Sequence, residues 1–244
     1  MDSLPYILEE TDDFAVVFKP PKMHCTPLPK KDGGTLLEWY ADLGQVKVPL
    51  LMHRLDFETH GLVLFAKNRK SFDFFKSMQE KDEFIKEYSA VCCSKLSLSS
   101  VPNFSFPPPP VFSACEPSSE NPFVIESYFR PYGPGRKLVR PVIDDGKKHR
   151  EIAKDRGGFY LTEITGREGN VFTVRIKRGF RHQIRCHLCW IGFPIQNDLL
   201  YSEQETGNSE GILALRAHAL FFADPSTGRQ REYRIKTMLE KAHV

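Results

Sequence analysis

The sequence of 244 residues has no long hydrophobic run, no strong excess of charge and no compositional bias. The absence of eighteen or more consecutive apolar residues excludes an ordinary membrane-spanning helix. Neither Gly nor Pro recurs with a period, which excludes a collagen-like chain. The formal net charge of +3 is too small to predict a nucleic-acid partner by itself. A hydrophobic content of 41% instead predicts a folded protein with a sizeable core.

The N-terminal residues also lack the features of a signal peptide. Residues 9–13 include four acids, where a signal peptide needs a basic segment followed by an apolar one. We therefore expect a cytoplasmic protein without membrane contact. In that compartment the six cysteines would be reduced thiols, and the adjacent pair Cys92 and Cys93 is a poor start for a disulfide framework.

Local patterns predict both strands and helices along the chain. Thr35 and Glu38 form a capping box, which predicts a helix that ends at Gly44. Apolar runs and helical spacings predict further elements: strands over 14–19, 61–66 and 84–93, helices over 69–81 and 181–190, and hairpins over 159–177 and 213–235. Many antiparallel hairpins with few helices predict an α+β fold, and we expect a single domain over residues 1–244.

A proline-rich segment interrupts these patterns. Residues 101–122 contain seven prolines, including four in succession. Because proline lacks an N–H donor and restricts the backbone, this segment cannot form a central strand or a helix interior. We predict an extended connector or an exposed insertion.

Positive charge is concentrated in two stretches. Residues 167–187 contain five Arg and one Lys against one acid, and residues 147–156 contain a second basic run. Such patches attract phosphate even on a nearly neutral chain. Solvated surface would give the same pattern, so this signal alone does not decide the function.

Two polar stretches could carry chemistry. The first, residues 53–61, places Arg54 beside Asp56 just before a predicted buried strand, where the arginine could hold the carboxylate ionised. A capped turn with a surface ion pair would give the same pattern. The second, residues 178–188, places Arg181 and Arg185 four residues apart, so on a helix they would share a face.

Two cysteine patterns could indicate a reactive or metal-binding site, and neither favours one. Cys186 and Cys189, with His182, could indicate zinc, but two cysteines on a helix lack the turn that structural zinc sites use. Buried small apolar side chains are the simpler interpretation. His24 and Cys25 could indicate a nucleophile with its base, but adjacent residues on a strand point to opposite faces.

Five blocks, in order, resemble the RluA family of RNA pseudouridine synthases. HRLDFETHGLVLFAKN resembles the signature HRLD-x-x-T-S-G-L-L-L-x-A-K, and FIKEYSAVC resembles the K-x-Y strand. GFRHQIRCHLCWIGFPIQNDLLY resembles the family's GRTHQIRVHL segment with its following G-x-P-I-x-GD-x-x-Y. FAVVFKPPKMHCTP resembles the opening strand with its lysine-proline turn, and LALRAHALFFADPSTGRQREY resembles the closing hairpin.

The chain differs from the family pattern at three places. Thr59-His60-Gly61 stands where Thr-Ser-Gly is usual, Phe180-Arg181 where Arg-Thr is usual, and Asn197-Asp198-Leu199 where Gly-Asp-Pro is usual. Residues 101–122 match no part of the pattern, and the S4-like N-terminal RNA-binding domain of some relatives is not expected here. These differences keep open an alternative, a catalytically inactive RNA-binding protein or RNA chaperone with the same fold.

The resemblance implies a fold and an activity. The fold would be a mixed, mostly antiparallel central sheet with flanking helices and a catalytic cleft. The activity would be the isomerisation of specific uridines to pseudouridine in structured RNA, either ribosomal or transfer RNA, without a metal or an organic cofactor. We expect the protein to act as a monomer.

The resemblance also implies roles for individual residues. Asp56 would be the nucleophile or the base that starts glycosidic cleavage, and Arg185 would pair with it. Tyr88 would stack on the uracil and could accept a proton late in the reaction, although its alternation with apolar neighbours equally fits a core residue. Arg54 would occupy the space that the flipped uridine leaves.

The remaining substrate-binding predictions lie in the two polar stretches, residues 53–61 and 178–188. The basic run that ends at Arg185 would contact phosphates. The predicted contacts are His53, Arg178, Arg181, His182 and Gln183. For His53, a hydrogen bond within its loop is the simpler interpretation.

Overall fold

The structure is a computed structural model, and it describes residues 4–28, 34–44, 49–93, 107–112, 116–143, 159–202 and 211–238. The chain divides into two compact units. The first unit comprises residues 1–88 and 215–244, and the second comprises residues 89–214. The predicted single domain over residues 1–244 stays a prediction.

The described part of the chain contains eleven strands and three α-helices. The strands are β1 (Tyr6–Glu10), β2 (Phe14–Lys19), β3 (Leu50–Leu51), β4 (His60–Ala66), β5 (Ile85–Val91), β6 (Phe123–Tyr132), β7 (Leu138–Val142), β8 (Tyr160–Glu168), β9 (Val171–Ile176), β10 (Leu215–Ala223) and β11 (Gln230–Arg234). The helices are α1 (Leu36–Asp42), α2 (Arg69–Glu80) and α3 (Gln183–Trp190). Within the described residues, no helix is long and apolar enough to cross a membrane.

The first unit is a sheet with two short helices. The strand order is β1-β2-β4-β10-β5, with β3 paired to β4 and β11 paired to β10. The pairing of β4 with β10 is parallel. Antiparallel pairing joins β1 to β2, β2 to β4, β3 to β4 and β10 to β11. Aromatic rings fill the core, where Phe14 meets Phe222 edge-on at 5.3 Å and Phe75 of α2 lies 5.3 Å from Phe222. This mixed sheet with helices confirms the predicted α+β class.

The second unit is an antiparallel sheet that buries a helix. Its strands follow the order β9-β8-β6-β7, and every residue of α3 is buried. A core cluster joins α3 to β6 and β7 and is formed by Phe129, Val139, Cys186, Cys189 and Tyr201. The hairpin β6–β7 was missed in the sequence because Pro131 and Pro141 break the strand pattern. Pro141 is tolerated because β7 is the last strand in this order, where a ladder donor is not required.

The described part of the proline-rich segment is anchored to the second unit. The indole Nε1 of Trp190 donates a hydrogen bond to the carbonyl oxygen of Pro107 at 3.0 Å. The ring of Phe112 lies 4.8 Å from Phe123 and 5.5 Å from Phe193, while Val111 remains 85% exposed. Residues 107–112 are therefore held at their two ends. Residues 101–106, 113–115 and the basic run over 147–156 lie outside the described residues.

Gly61 is required by the close approach of β4 and β10. Its φ angle is +128°, and a Cβ atom at this position would lie 2.1 Å from the carbonyl oxygen of Ala217. We expect Gly61→Ala to lower the free energy of unfolding by about 2–4 kcal/mol, from backbone strain and overpacking together. Urea unfolding followed by circular dichroism measures the change.

Gly169→Ala is the matched control for this prediction. Gly169 also has a positive φ angle, +57°, but nothing lies within 4 Å of its added Cβ. Gly169→Ala should therefore lower the free energy of unfolding only by the cost of a left-handed backbone at a residue with a Cβ, about 1–2 kcal/mol. Equal losses at the two glycines would contradict the role of the contact with Ala217.

Candidate active site

The loop that carries Asp56 is anchored on both sides of this residue. It joins β3 to β4, and Asp56 is half-buried. On one side, the Cys25 thiol donates to the carbonyl oxygen of Leu55 at 3.4 Å, and its Sγ accepts from the Leu55 N–H at 3.3 Å. On the other side, Lys19 Nζ donates to the carbonyl oxygen of Phe57 at 3.3 Å. These contacts hold the backbone on either side of the predicted catalytic carboxylate.

Lys19 is a buried ammonium group at the end of β2. Besides Phe57, its Nζ donates to the carbonyl oxygens of Pro20 and Met23, each at 2.8 Å. Burial lowers the pKa of Lys19 to about 8, although the nearby Cys25, Asp56 and Glu58 act in the opposite direction. The lysine-proline turn was visible in the sequence, but its contact with the loop 38 residues away was not.

The lowered pKa of Lys19 predicts a pH-dependent contribution to stability. Between about pH 8 and 10.5 the folded protein would have lost the Lys19 proton while the unfolded chain keeps it. The unfolded state then binds more protons, so the contribution of this group to the free energy of unfolding rises with pH, by up to about 1.4 kcal/mol per pH unit.

This contribution can be isolated by difference. We expect the free energy of unfolding of wild type minus that of Lys19→Met to increase from pH 8 to pH 10. Urea unfolding at each pH measures it, and Lys70→Met, at an exposed helical position, should show no such slope. A difference that stays constant across this range would disprove the lowered pKa.

Cys25 is an anchor of the loop rather than an activated nucleophile. Burial raises the pKa of its thiol, which keeps it protonated at neutral pH. It lies outside the strands, so the argument from opposite strand faces does not apply to it. Cys25 is nevertheless not expected to be a nucleophile, because a protonated thiol that takes part in two backbone hydrogen bonds reacts weakly.

Tyr88 is buried on β5 with an uncharged phenol. Only 5% of its surface is exposed. Burial raises the pKa of Tyr88, and the negative charge of Asp56 raises it further. The charge of Asp56 therefore lies close enough to act on the phenol of Tyr88. A neutral phenol can stack on a base and donate a hydrogen bond, whereas it is a poor proton acceptor.

The residue before Tyr88 belongs to a separate buried charge cluster. Glu87 accepts from Arg234 Nη1 at 2.8 Å and lies 3.0 Å from His218 Nε2. Because successive side chains on a strand point to opposite faces, this cluster holds β5 from the face opposite Tyr88.

His53 and Arg54 have different environments. His53 Nε2 accepts a hydrogen bond from the Leu64 N–H at 3.3 Å, which fits the interpretation as a loop residue. Burial, assisted by the charge of Lys86, lowers the pKa of His53 well below its usual range. Arg54 is exposed at the start of the loop, so its side chain is accessible to a ligand. The substrate contacts predicted for both residues stay predictions.

Arg185 is buried in an ion pair with Asp198. Its Nε and Nη2 donate to the two carboxylate oxygens of Asp198 at 2.8 and 2.7 Å. The same carboxylate accepts from the N–H groups of Leu200 and Tyr201. A guanidinium has further N–H donors beyond these two, so the pairing of Arg185 with Asp56 stays a prediction. Burial does remove Arg185 from the basic run predicted to contact phosphates.

The residues just before α3 do not continue the helix. The expected helix over 181–190 begins at Gln183, because His182 adopts a left-handed backbone conformation with φ of 56°. The prediction that Arg181 and Arg185 share a helical face is therefore wrong. Arg181 is exposed and donates to the carbonyl oxygens of Arg136 and Leu138, at 3.0 and 3.1 Å.

The other predicted contacts of this segment divide into exposed and internal groups. Arg178 is exposed. Gln183 is buried, donates to the Leu161 carbonyl at 2.8 Å and accepts from the Phe180 N–H at 2.9 Å, so it stabilises the loop. His182 Nδ1 lies 3.3 Å from the hydroxyl of Tyr201. The accessible candidates for an RNA contact here are therefore the two arginines.

The cysteines of α3 serve as buried thiols. Cys186 donates to the Val139 carbonyl and Cys189 to the Tyr201 carbonyl, at 3.5 and 3.1 Å. Among the described residues, no disulfide joins any two of the five cysteines. Across the same residues, no three His, Cys, Asp or Glu side chains are placed to hold a metal ion.

A family model for RNA pseudouridylate synthases matches residues 13–190 of this chain. The chain belongs to this family. The match includes the loop of Asp56, the strand of Tyr88 and the whole of α3, and it confirms the RluA-type resemblance seen in the sequence motifs.

Relatives of known sequence agree with this assignment. An uncharacterized protein of Caenorhabditis elegans is 33% identical over 216 residues, 84% of this chain and 40% of that protein. An uncharacterized RNA pseudouridine synthase of Bacillus subtilis is 26% identical, with 93% of this chain and 67% of that protein covered. Ribosomal large subunit pseudouridine synthase D of Vibrio parahaemolyticus is 24% identical, with 93% and 65% covered. This chain thus spans about two fifths to two thirds of their lengths.

Solved structures support the fold. The human RNA pseudouridylate synthase domain containing 1 superposes with a TM-score of 0.65 at 18% identity, covering 96% of this chain and 84% of that one. Human RNA pseudouridylate synthase domain containing 4 superposes with a TM-score of 0.61, also at 18% identity, covering 95% of this chain and 88% of that one. The predicted pseudouridine synthase fold is confirmed.

Proposed function

We propose that this protein converts specific uridines in ribosomal or transfer RNA to pseudouridine. The proposal is supported by the position of Asp56. The residues on either side of it, Leu55 and Phe57, are anchored through their backbones, and its charge acts on the buried, neutral Tyr88. A carboxylate on a rigid loop beside a flat aromatic side chain suits a reaction that must grip one base and attack next to it.

The reaction breaks the bond between N1 of uracil and C1′ of the ribose and forms a bond from C5 to C1′. C5 loses a proton, and N1 gains one. Asp56 supports this exchange as nucleophile at the sugar or as the base that starts cleavage. The ring of Tyr88 would stack on the uracil while it turns, and its protonated hydroxyl would donate a hydrogen bond.

The target uridine has to leave the base stack before it can reach a half-buried carboxylate. This costs a few kcal/mol in a duplex and less in a loop, which favours single-stranded targets. The exposed Arg54, two residues from Asp56, would occupy the space left by the flipped base. Arg178 and Arg181 would contact phosphates. Location in the cytoplasm and action as a monomer are part of the same proposal.

The proposal is tested by mapping pseudouridine in total RNA from cells with and without this gene. Pseudouridine has the mass of uridine, so the RNA needs a chemical tag for pseudouridine before mass spectrometry. We expect one or a few sites to disappear and to return with the wild-type gene. Purified protein incubated with transcripts of those RNAs should restore the same sites.

A second outcome of the same experiment would contradict the proposed activity. If no site is lost and the purified protein modifies no transcript, then the proposed activity is wrong. RNA binding without conversion would then identify an inactive RNA-binding member of the family.

A further inference from the structure

The hairpin β6–β7 presents an aromatic and basic face that the proposed reaction does not use. Its side chains alternate along the strands with buried ones such as Phe129 and Val139. We call it the hairpin face, and it consists of Tyr128, Arg130, Tyr132 and Arg140.

Two arginines lie directly opposite each other on the hairpin face. Arg130 pairs in register with Arg140, and like charges in this arrangement destabilise a sheet. Among the described residues, neither guanidinium has an ion-pair partner, and the buried Nε–H of Arg140 donates no hydrogen bond. Residues 123–143 contain a single acid, Glu126, which precedes Arg130 by four positions. An anionic ligand would relieve this repulsion.

Aromatic rings lie among these charges. The guanidinium of Arg140 lies 5.6 Å from the ring centroid of Tyr132. The rings of Tyr128 and Phe159 lie with centroids 4.3 Å apart and planes tilted by 30°, and Phe159 is 36% exposed. Rings beside cationic groups form the usual platform for single-stranded nucleic acid, in which bases stack and phosphates meet the charges.

Further cations border the hairpin face. Arg136 and Lys137 are exposed at the end of the hairpin. Arg181 reaches the same end, because it donates to the carbonyl oxygens of Arg136 and Leu138. Positive charge therefore continues from the face to the tip of the hairpin.

We infer that the hairpin face binds a single-stranded segment of RNA, with phosphates at Arg130 and Arg140 and bases stacked on Tyr132 and Tyr128. Charge complementarity indicates an anionic partner, and the rings indicate one with flat bases. This inference deepens the proposed function, on which it rests for RNA as the substrate, by adding a contact separate from the Asp56 loop.

The test measures RNA binding by fluorescence anisotropy in an Asp56→Asn background, which prevents turnover. The probes are a labelled single-stranded 12-mer of uridine and a 12-base-pair RNA duplex. We expect Arg130→Gln with Arg140→Gln to weaken single-strand binding about tenfold at 0.1 M salt and to reduce the salt slope by about 1.4, since two phosphate contacts to a single strand are removed. Lys70→Gln with Arg229→Gln removes the same charge from exposed positions outside the face and should weaken binding less than about threefold.

Tyr132 tests the stacking part of the inference. Tyr132→Leu should weaken single-strand binding at least about fivefold and leave duplex binding within about twofold, whereas Tyr132→Phe keeps the ring and should bind as wild type does. Thermal unfolding checks the fold, and the arginine variant should not lower the Tm because it removes a repulsive pair.

Two results would overturn the inference. One is an arginine variant that binds as its charge-matched control does. The other is an equal loss of single-strand and duplex binding in Tyr132→Leu, since the face would then bind phosphate alone. Conversion by the protein with Asp56 intact is measured separately. Binding differences without conversion would keep this inference and remove the proposed function.

Discussion

Asp56→Asn should abolish uridine conversion while RNA binding is kept. The amide has the size of the carboxylate but cannot act as nucleophile or base, so we expect the single-turnover rate to fall by at least about 10³-fold. The fold should persist, because Cys25 and Lys19 hold the loop through the backbone of Leu55 and Phe57 rather than through the side chain of Asp56. RNA affinity should stay within about threefold of wild type.

Tritium release from uridine labelled at C5 measures this rate, because C5 loses its hydrogen during the reaction. Glu58→Gln is the matched control, since Glu58 is a half-buried carboxylate of the same loop and, like Asp56, acts to raise the pKa of Lys19. The control should react at close to the wild-type rate. A fast Asp56→Asn reaction, or a Glu58→Gln variant equally impaired, would remove Asp56 from the proposed mechanism.

Asp198→Asn should be the most destabilising of the charge substitutions. It removes the carboxylate that accepts the Nε and Nη2 hydrogen bonds of the buried Arg185, and the side chains of the pair are only 4% and 0% exposed. Loss of one partner of a buried ion pair lowers the free energy of unfolding by about 3–5 kcal/mol. Urea unfolding followed by circular dichroism and tryptophan fluorescence measures it, and Trp190 on α3 reports directly on this unit.

An exposed ion pair provides the control for burial. Arg69 Nη2 lies 3.0 Å from Asp73 Oδ1 on α2, and the two side chains are 78% and 57% exposed. Asp73→Asn should therefore lower the free energy of unfolding by no more than about 0.5 kcal/mol. The double variant Arg185→Met with Asp198→Leu should lose less stability than Asp198→Asn, since no uncompensated charge remains. A loss below about 1 kcal/mol in Asp198→Asn would contradict the pair's structural role.

Local patterns predicted those elements whose pattern is strong within the element itself. The strand over 14–19 is observed with the same bounds, and the helix over 69–81 ends one residue earlier. The capping box of Thr35 and Glu38 is observed as predicted, with α1 starting at Leu36. In each case a short segment contains both its periodicity and its end signal, so distant residues are not needed to specify it.

The elements that were missed depend on partners remote in the chain. β1 ends in two acids, Glu9 and Glu10, and none of its residues is fully buried, so only pairing with β2 makes it a strand. β6 and β7 contain prolines, and only an edge position makes Pro141 acceptable. The start of α3 was placed two residues early, because nothing in the local sequence signals the left-handed backbone of His182.

The sequence by itself determined the family of this protein, its α+β class and the positions of Asp56 and Tyr88, because motif residues lie close together in the chain. Only the tertiary structure decided what holds them. Lys19 and Cys25 reach the loop from 38 and 30 residues away, and Arg185 is paired with Asp198 inside the second unit. Such contacts depend on burial and on hydrogen bonds between distant segments, which no local pattern encodes.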